Sequence, residues 1–330
     1  MTRIYALEEH MATTEVMEAW KRQDPGFGEP MMQWAVASDI TPALVDLDEG
    51  RLAAMDDAGI DVAVLSLSTP GLQNLSAAEA VALQAPTNDA IAAAVARHPE
   101  RLQGFATLAT PAPAEAAAEL RRAVAELGLN GAMVNARSGD RGVDASEFWD
   151  IYEAAADLRA PIYLHPRAPL PVINQAYYGG FGGSVNDLLA TGAIGWHYDA
   201  GLTLVRMITS GLFDRFPDLQ LILGHWGEVV LFYLDRIGVL DAVTHLQRPF
   251  AEYFRSNVHI TPGGISSHKY LRWSVETVGA ERVMYASDYP FNRERDGSAR
   301  RFVEEAPAGI TERESFAFRN WETIVAGIRR

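Results

Sequence analysis

Eight short apolar or β-branched runs recur along the chain, separated mostly by longer amphipathic stretches. They are Arg3–Leu7, Asp61–Leu67, Leu102–Leu108, Gly131–Asn135, Pro161–His165, Leu219–Gly224, Asn257–Thr261 and Arg282–Ala286. Strands that alternate with helices pair through crossovers, which makes the sheet parallel. Leu219-Gln220-Leu221-Ile222-Leu223 is nearly continuous in apolar character, as expected of a strand covered on both faces. Eight such units fit a closed, distorted (β/α)8 TIM barrel better than an open doubly wound sheet. No GxGxxG follows the first run, which argues against a dinucleotide-binding sheet. The 330 residues suit one barrel domain, 1–330.

Helical patterning covers Glu49–Ala58, Ala77–Arg97 with a possible break at Pro86, and Pro113–Leu127 with Gly128 as its stop. It continues over Ala145–Leu158, Tyr198–Phe213, Glu228–Leu240, Ser267–Val278 and Ile310–Ile328. Two stretches interrupt the rhythm. Residues 11–48 carry Pro25, Gly26, Gly28 and Pro30, and residues 166–196 carry Pro166, Pro169, Pro171, Tyr177, Tyr178 and the glycine-rich run around Phe181. They read as elaborated loops after the first and fifth strands, on the face where barrel active sites lie.

Composition narrows the chemistry. The chain has no cysteine, so a disulfide framework, a thiolate nucleophile and a cysteine-ligated zinc are all excluded. A net charge of −15 argues against nucleic-acid and anionic-membrane partners. Lysine occurs only at 21 and 269, which leaves few candidates for a Schiff base. The first ten residues carry charges where a secretory signal needs an apolar core, and no apolar run approaches the ~18 residues of a membrane span. The expected location is the cytoplasm.

The strand ends hold the informative polar residues. Glu8 and His10 close the first run, His165 the fifth and His225 the sixth, and Asp288 follows the eighth. Two residues apart on a strand, Glu8 and His10 share a face, here the barrel interior. Each of these residues alone has an ordinary structural reading. Five potential ligands from four strands at one end together indicate a mononuclear divalent-cation site. His98, His197, His245, His259 and His268 read as structural or peripheral, with His197 at the border of the second long loop.

These residues resemble the second amidohydrolase family, in its branch of nonoxidative aromatic acid decarboxylases acting on γ-resorcylate, 2,3-dihydroxybenzoate and 5-carboxyvanillate. The resemblance runs through Ala6-Leu7-Glu8-Glu9-His10, Arg51-Leu52 with Met55-Asp56, Leu65-Ser66-Leu67-Ser68 and Tyr163-Leu164-His165-Pro166-Arg167. It continues through Ser210–Pro217, Leu221–Glu228 and Ser287-Asp288-Tyr289-Pro290-Phe291. It implies metal ligands at Glu8, His10, His165 and Asp288, a pocket histidine and its glutamate at His225 and Glu228, and a substrate-facing arginine at Arg51. Arg167, Trp196 and Phe291 are further substrate-binding candidates. Trp226 stands where methionine is expected, Asn292 where glutamate is common, and Asp199 and Thr203 where glutamate and histidine are expected.

The implied reaction is decarboxylation of an ortho-hydroxy aromatic acid, with Asp288 protonating the ring carbon before carbon dioxide leaves. Manganese ranks first as the one metal per chain, zinc second. The implied assembly is a homodimer or homotetramer. Two other readings share the ligand set. One is a lactone or amide hydrolase with Asp288 activating metal-bound water, and the other a noncatalytic barrel that binds an aromatic acid.

Overall fold

The computed structural model describes residues 2–23, 29–30, 40–307 and 309–330. Pro25, Gly26 and Gly28 of the first long loop lie outside the described residues. Among the described residues seven barrel strands form: β1 (Tyr5–Met11), β2 (Val62–Leu67), β3 (Leu102–Gly104), β4 (Ala132–Asn135), β5 (Ile162–His165), β6 (Leu221–Leu223) and β7 (Val258–Ile260). β1, β2 and β3 pair in parallel, as do β4, β5, β6 and β7. The two sheets meet where Ala106 bridges Ala132.

The eighth expected strand, Arg282–Ala286, does not join a ladder. It is attached on one side by a single bridge between Ile260 and Val283 and by the Met284 amide on the Ile260 carbonyl. On the other side the Leu7 amide bonds to Tyr285 and the His10 amide to Tyr289. The ring therefore closes, with its thinnest seam around this segment.

Alternation sorts the strand side chains. Tyr5, Leu7, Val62, Val64, Phe105, Met133, Tyr163, Ile222, Met284 and Ala286 pack together, while their neighbours Ala6, Ala63 and Leu65 join a second cluster shared with the helices. Trp321, from the C-terminal helix Asn320–Gly327, joins the first cluster and donates its indole N–H to Gln103 at 2.8 Å. Each of these aromatic side chains removes on the order of 150–250 Å² from water, so this packing dominates the stability of the ring. The floor is filled, and the open end is the C-terminal end of the strands.

Helix Ala77–Arg97 runs unbroken through Pro86, with Ser76 as its N-cap. A proline removes one backbone hydrogen bond there, and the packed face holds the remainder. Helix Pro113–Ala125 ends shortly before Gly128, whose φ is +72°. The expected helix Glu228–Leu240 is instead a series of short turns from His225 to Ala242. Residues 166–196 contain a short helix Pro171–Ile173, a second helix Gly183–Leu188 and two wide turns, and lead into helix Gly195–Thr209. No helix among the described residues is long and apolar enough to cross a membrane.

Candidate metal centre

Period-two alternation from Tyr5 and Leu7 would aim Glu9, not Glu8, at the pole of the barrel. A register shift in the β1–β2 pairing between Ala6 and Glu9 reverses the parity. Such irregularities re-aim side chains beside active sites. Glu8 and His10 consequently face the pole, and Glu9 turns to the Ser287 amide at 3.1 Å and hydroxyl at 2.8 Å. Burial pushes the Glu9 carboxyl up to about 8.

Four side chains converge at the pole. Glu8 Oε1 lies 3.1 Å from His165 Nε2 and 3.9 Å from His10 Nε2, and His10 Nε2 lies 3.2 Å from Asp288 Oδ1. Donors about 2.0–2.2 Å from one cation stand roughly 3–3.5 Å from each other, so the cluster needs little adjustment to hold one ion. Glu8 Oε1 is buried and has no hydrogen-bond partner, as an oxygen reserved for a cation would be. His165 Nδ1 donates to the Pro166 carbonyl at 2.7 Å, which leaves Nε2 as the lone-pair nitrogen. Burial and neighbouring His165 hold the His10 imidazole down to about 3, so it stays neutral and able to ligate. The other Glu8 oxygen accepts from the Tyr163 hydroxyl at 2.5 Å, which in turn lies 2.6 Å from Thr261 Oγ1. Burial opposes the Glu8 charge, but His225, His165 and His10 outweigh it and hold the carboxyl below its usual range. Burial, reinforced by the Glu8 charge, pushes Asp288 well above the usual range.

Beyond β6 the chain makes a left-handed turn. φ is positive at His225, Trp226, Gly227, Glu228 and Val229. This costs roughly 1–2 kcal/mol for each residue with a side chain, so surrounding contacts must hold it. The Trp226 amide donates to Thr261 at 2.8 Å and its indole to Ile265 at 2.7 Å. The turn folds Glu228 back onto His225, with Nδ1 and Oε1 2.7 Å apart. A side chain at Gly263 would collide with the His225 amide and ring at 2.8 Å, so only glycine lets the loop after β7 close on this turn. Burial opposes a charge on His225, yet Glu228 and Glu8 push it up to about 10. Glu228 is held down to about 2 because His225 and His197 outweigh its burial.

A cavity of about 250 Å³ opens at this pole. It is lined by His10, His165, His225 and Asp288, with Trp196 and Phe291 contributing aromatic surface. Phe291 meets His10 edge-on at 5.4 Å. Its size and flanking rings suit one small aromatic molecule.

The structure does not bring Arg51 into this cavity. The helix Glu49–Ala58 lies outside β1, and the Arg51 guanidinium donates to the His10 and Ala43 carbonyls at 2.6 and 3.2 Å, over the Tyr289 ring. Arg167 is likewise elsewhere, paired with buried Glu29 at 3.1 Å in a neighbouring cavity of about 730 Å³. Tyr178 lines that second cavity, Tyr177 and Phe181 are exposed, and Trp226 is buried. His197 does line the first cavity, with Nδ1 2.7 Å from Glu228 Oε2. Tyr163 was detectable, because it shares a strand face with His165. His197 had only its position beside the long loop to mark it.

The amidohydrolase family profile matches residues 36–314. A γ-resorcylate decarboxylase from Polaromonas is 33% identical over 299 residues, covering 87% of each chain. The crystal structure of 5-carboxyvanillate decarboxylase from Sphingomonas paucimobilis superposes with a TM-score of 0.90 at 33% identity, covering 99% of both chains. That of a Polaromonas dihydroxybenzoic acid decarboxylase, with bound manganese and the inhibitor 2-nitroresorcinol, gives 0.86 at 30% identity, covering 99% of this chain and 97% of the other.

Proposed function

Since the chain belongs to the amidohydrolase family, we propose that it is a metal-dependent, nonoxidative decarboxylase of an ortho-hydroxy aromatic carboxylic acid. The observation that carries this reading is the convergence of Glu8, His10, His165 and Asp288 on one side of a small aromatic-walled cavity. Those four residues would hold one divalent ion, manganese before zinc; a structural neighbour is solved with manganese bound. When bound, the ion would supply Lewis acidity and positive charge beside the substrate's oxygens.

Decarboxylating an aryl acid directly would leave a strongly basic aryl carbanion, so the ring carbon is protonated first. Asp288 takes up the proton that the ortho hydroxyl gives up and delivers it to the carbon bearing the carboxylate. The bond to the carboxylate then breaks, its electron pair restores the aromatic ring, and carbon dioxide leaves. Asp288 lines the cavity beside His10, which places its carboxyl where it can carry this proton. His225, fixed through Nδ1 by Glu228, offers its Nε2 edge to the substrate. Trp196 and Phe291 flank the ring and exclude water. Arg51 and Arg167 act outside this cavity as supports of β1 and the long loop.

The same reading treats residues 1–330 as one cytoplasmic catalytic unit that forms a homodimer or homotetramer. Assembly is supported by apolar side chains standing in solvent on the long loop and the turns after β6, among them Tyr177, Phe181, Leu188 and Phe232. The test is turnover by purified protein loaded in turn with manganese and zinc, against a panel of ortho-hydroxybenzoic acids. Carbon dioxide release with loss of substrate absorbance is the expected result. No release from any member, with metal bound and the fold intact, would replace this reading with lactone or amide hydrolysis.

A further inference from the structure

Two imidazoles share one buried carboxylate at the rim of the pole. We propose that His197 is a positioning residue for the decarboxylation, holding Glu228, and through it His225, in the orientation presented to the cavity. This rests on the reading of the site given above.

Glu228 is fully buried, and each of its oxygens has one imidazole. His225 Nδ1 lies 2.7 Å from Oε1 and His197 Nδ1 lies 2.7 Å from Oε2. An ionised carboxylate only accepts, so both Nδ1 atoms donate. The arrangement is hydrogen-bonded rather than a second cation site, because donors sharing an ion about 2.0–2.2 Å away would stand roughly 3 Å or more apart. His197 Nε2 lies 3.1 Å from the Gly192 carbonyl. One edge of the His197 ring thus faces the reaction centre and the other the end of the long loop.

The ring of His197 also packs on that of His225, with centroids 4.5 Å apart at 54°. Glu228 thus cannot rotate without breaking a bond to one histidine or the other. Removing His197 leaves Oε2 buried without its partner. The carboxylate is then free to turn, and His225, which depends on Oε1 for its orientation, turns with it. The loop is tied to the same joint, since Gly192 precedes the helix that carries Trp196 and His197.

The test uses the full-length, manganese-loaded protein and two variants. His197→Phe keeps a planar ring and removes the N–H donated to Glu228, whereas His197→Gln keeps a donor within reach of Glu228. In His197→Phe, kcat for carbon dioxide release is expected to fall about 10–100-fold while KM changes less than about threefold. His197→Gln is expected to recover a large part of the loss, with metal stoichiometry and thermal midpoint unchanged. A second readout does not depend on turnover. In zinc-loaded protein labelled with ¹⁵N-histidine, the His225 Nδ1–H resonance is expected to move in His197→Phe and return toward its parent position in His197→Gln.

A kcat within about twofold of the parent in His197→Phe, or an unmoved His225 resonance, would overturn the proposal. So would equal damage in both variants accompanied by loss of metal, which marks a purely structural residue. If the parent releases no carbon dioxide from any acid tested, the decarboxylase reading fails. The His225 resonance alone then decides the positioning role.

Discussion

Alanine at Gly201 tests how closely the helix Gly195–Thr209 is set against the left-handed turn. A Cβ at Gly201 would lie 2.2 Å from the Glu228 carbonyl oxygen and 2.7 Å from Val230 Cγ1. Val230 can rotate away, but the carbonyl is backbone and a methyl group has no alternative rotamer. Ordinary carbon–oxygen contacts begin near about 3.3 Å, so the helix and turn must separate by roughly 1 Å. In an unencumbered helix this substitution stabilises by about 0.5–1 kcal/mol. Here overpacking costs about 1–3 kcal/mol and reverses the sign, leaving a net loss of roughly 1–2 kcal/mol. The same displacement would lengthen the 2.7 Å His197–Glu228 bond beyond hydrogen-bonding range. We expect kcat to fall about 10–100-fold, a typical consequence of misplacement on this scale. Urea unfolding and carbon dioxide release, measured on one preparation, check both effects. A Gly201→Ala protein as stable and as active as the parent would refute the argument that helix and turn are locked together.

Asp288→Asn removes both a ligand and the proposed proton carrier. It should lower carbon dioxide release by at least about 10³-fold and reduce bound manganese below one ion per chain by elemental analysis. Tyr163→Phe should weaken metal binding about 10–100-fold in chelator competition, because Glu8 loses the hydroxyl that orients it. His259 is held down to about 3 by burial and by Arg282, so the folded chain keeps it neutral while the unfolded chain takes up a proton below about pH 6.5. Stability is therefore lost as pH falls, and between roughly pH 7 and pH 5 the parent should lose about 2 kcal/mol that His259→Leu does not. Urea midpoints at the two pH values decide this.

The barrel was legible in the sequence because strands buried on both faces leave apolar runs, and Glu8, His10, His165 and Asp288 stood at their ends. The inward face of Glu8 and His10 was legible from their spacing, but the register shift that lets Leu7 and Glu8 both turn inward is a feature of pairing with β2 rather than of local sequence. Gly224 and Gly227, on either side of His225, mark an unusual backbone in the sequence. Positive φ at the four non-glycine residues His225, Trp226, Glu228 and Val229 is nevertheless a tertiary outcome, imposed by contacts with Thr261, Gly263 and Ile265. Arg51 illustrates the limit of position alone. It begins a helix beside β1, and only the packing of that helix decides which side of the strand its guanidinium reaches. His197 lay on a helix whose inner face could not be told from its outer face, because Tyr198, one residue on, is exposed.

The seam beside β1 carries a thermodynamic consequence. Glu8 and His10 lie on one side of it and Asp288 on the other, and the backbone joins them there by isolated bonds rather than a ladder. An ion held by all three would act as a clasp across the ring. By linkage, free manganese would then protect the amides of 283–289 from hydrogen exchange in proportion to its binding, and chelation would expose them before the rest of the barrel opens. The lifetime of the folded enzyme would follow the supply of metal as much as the size of its core.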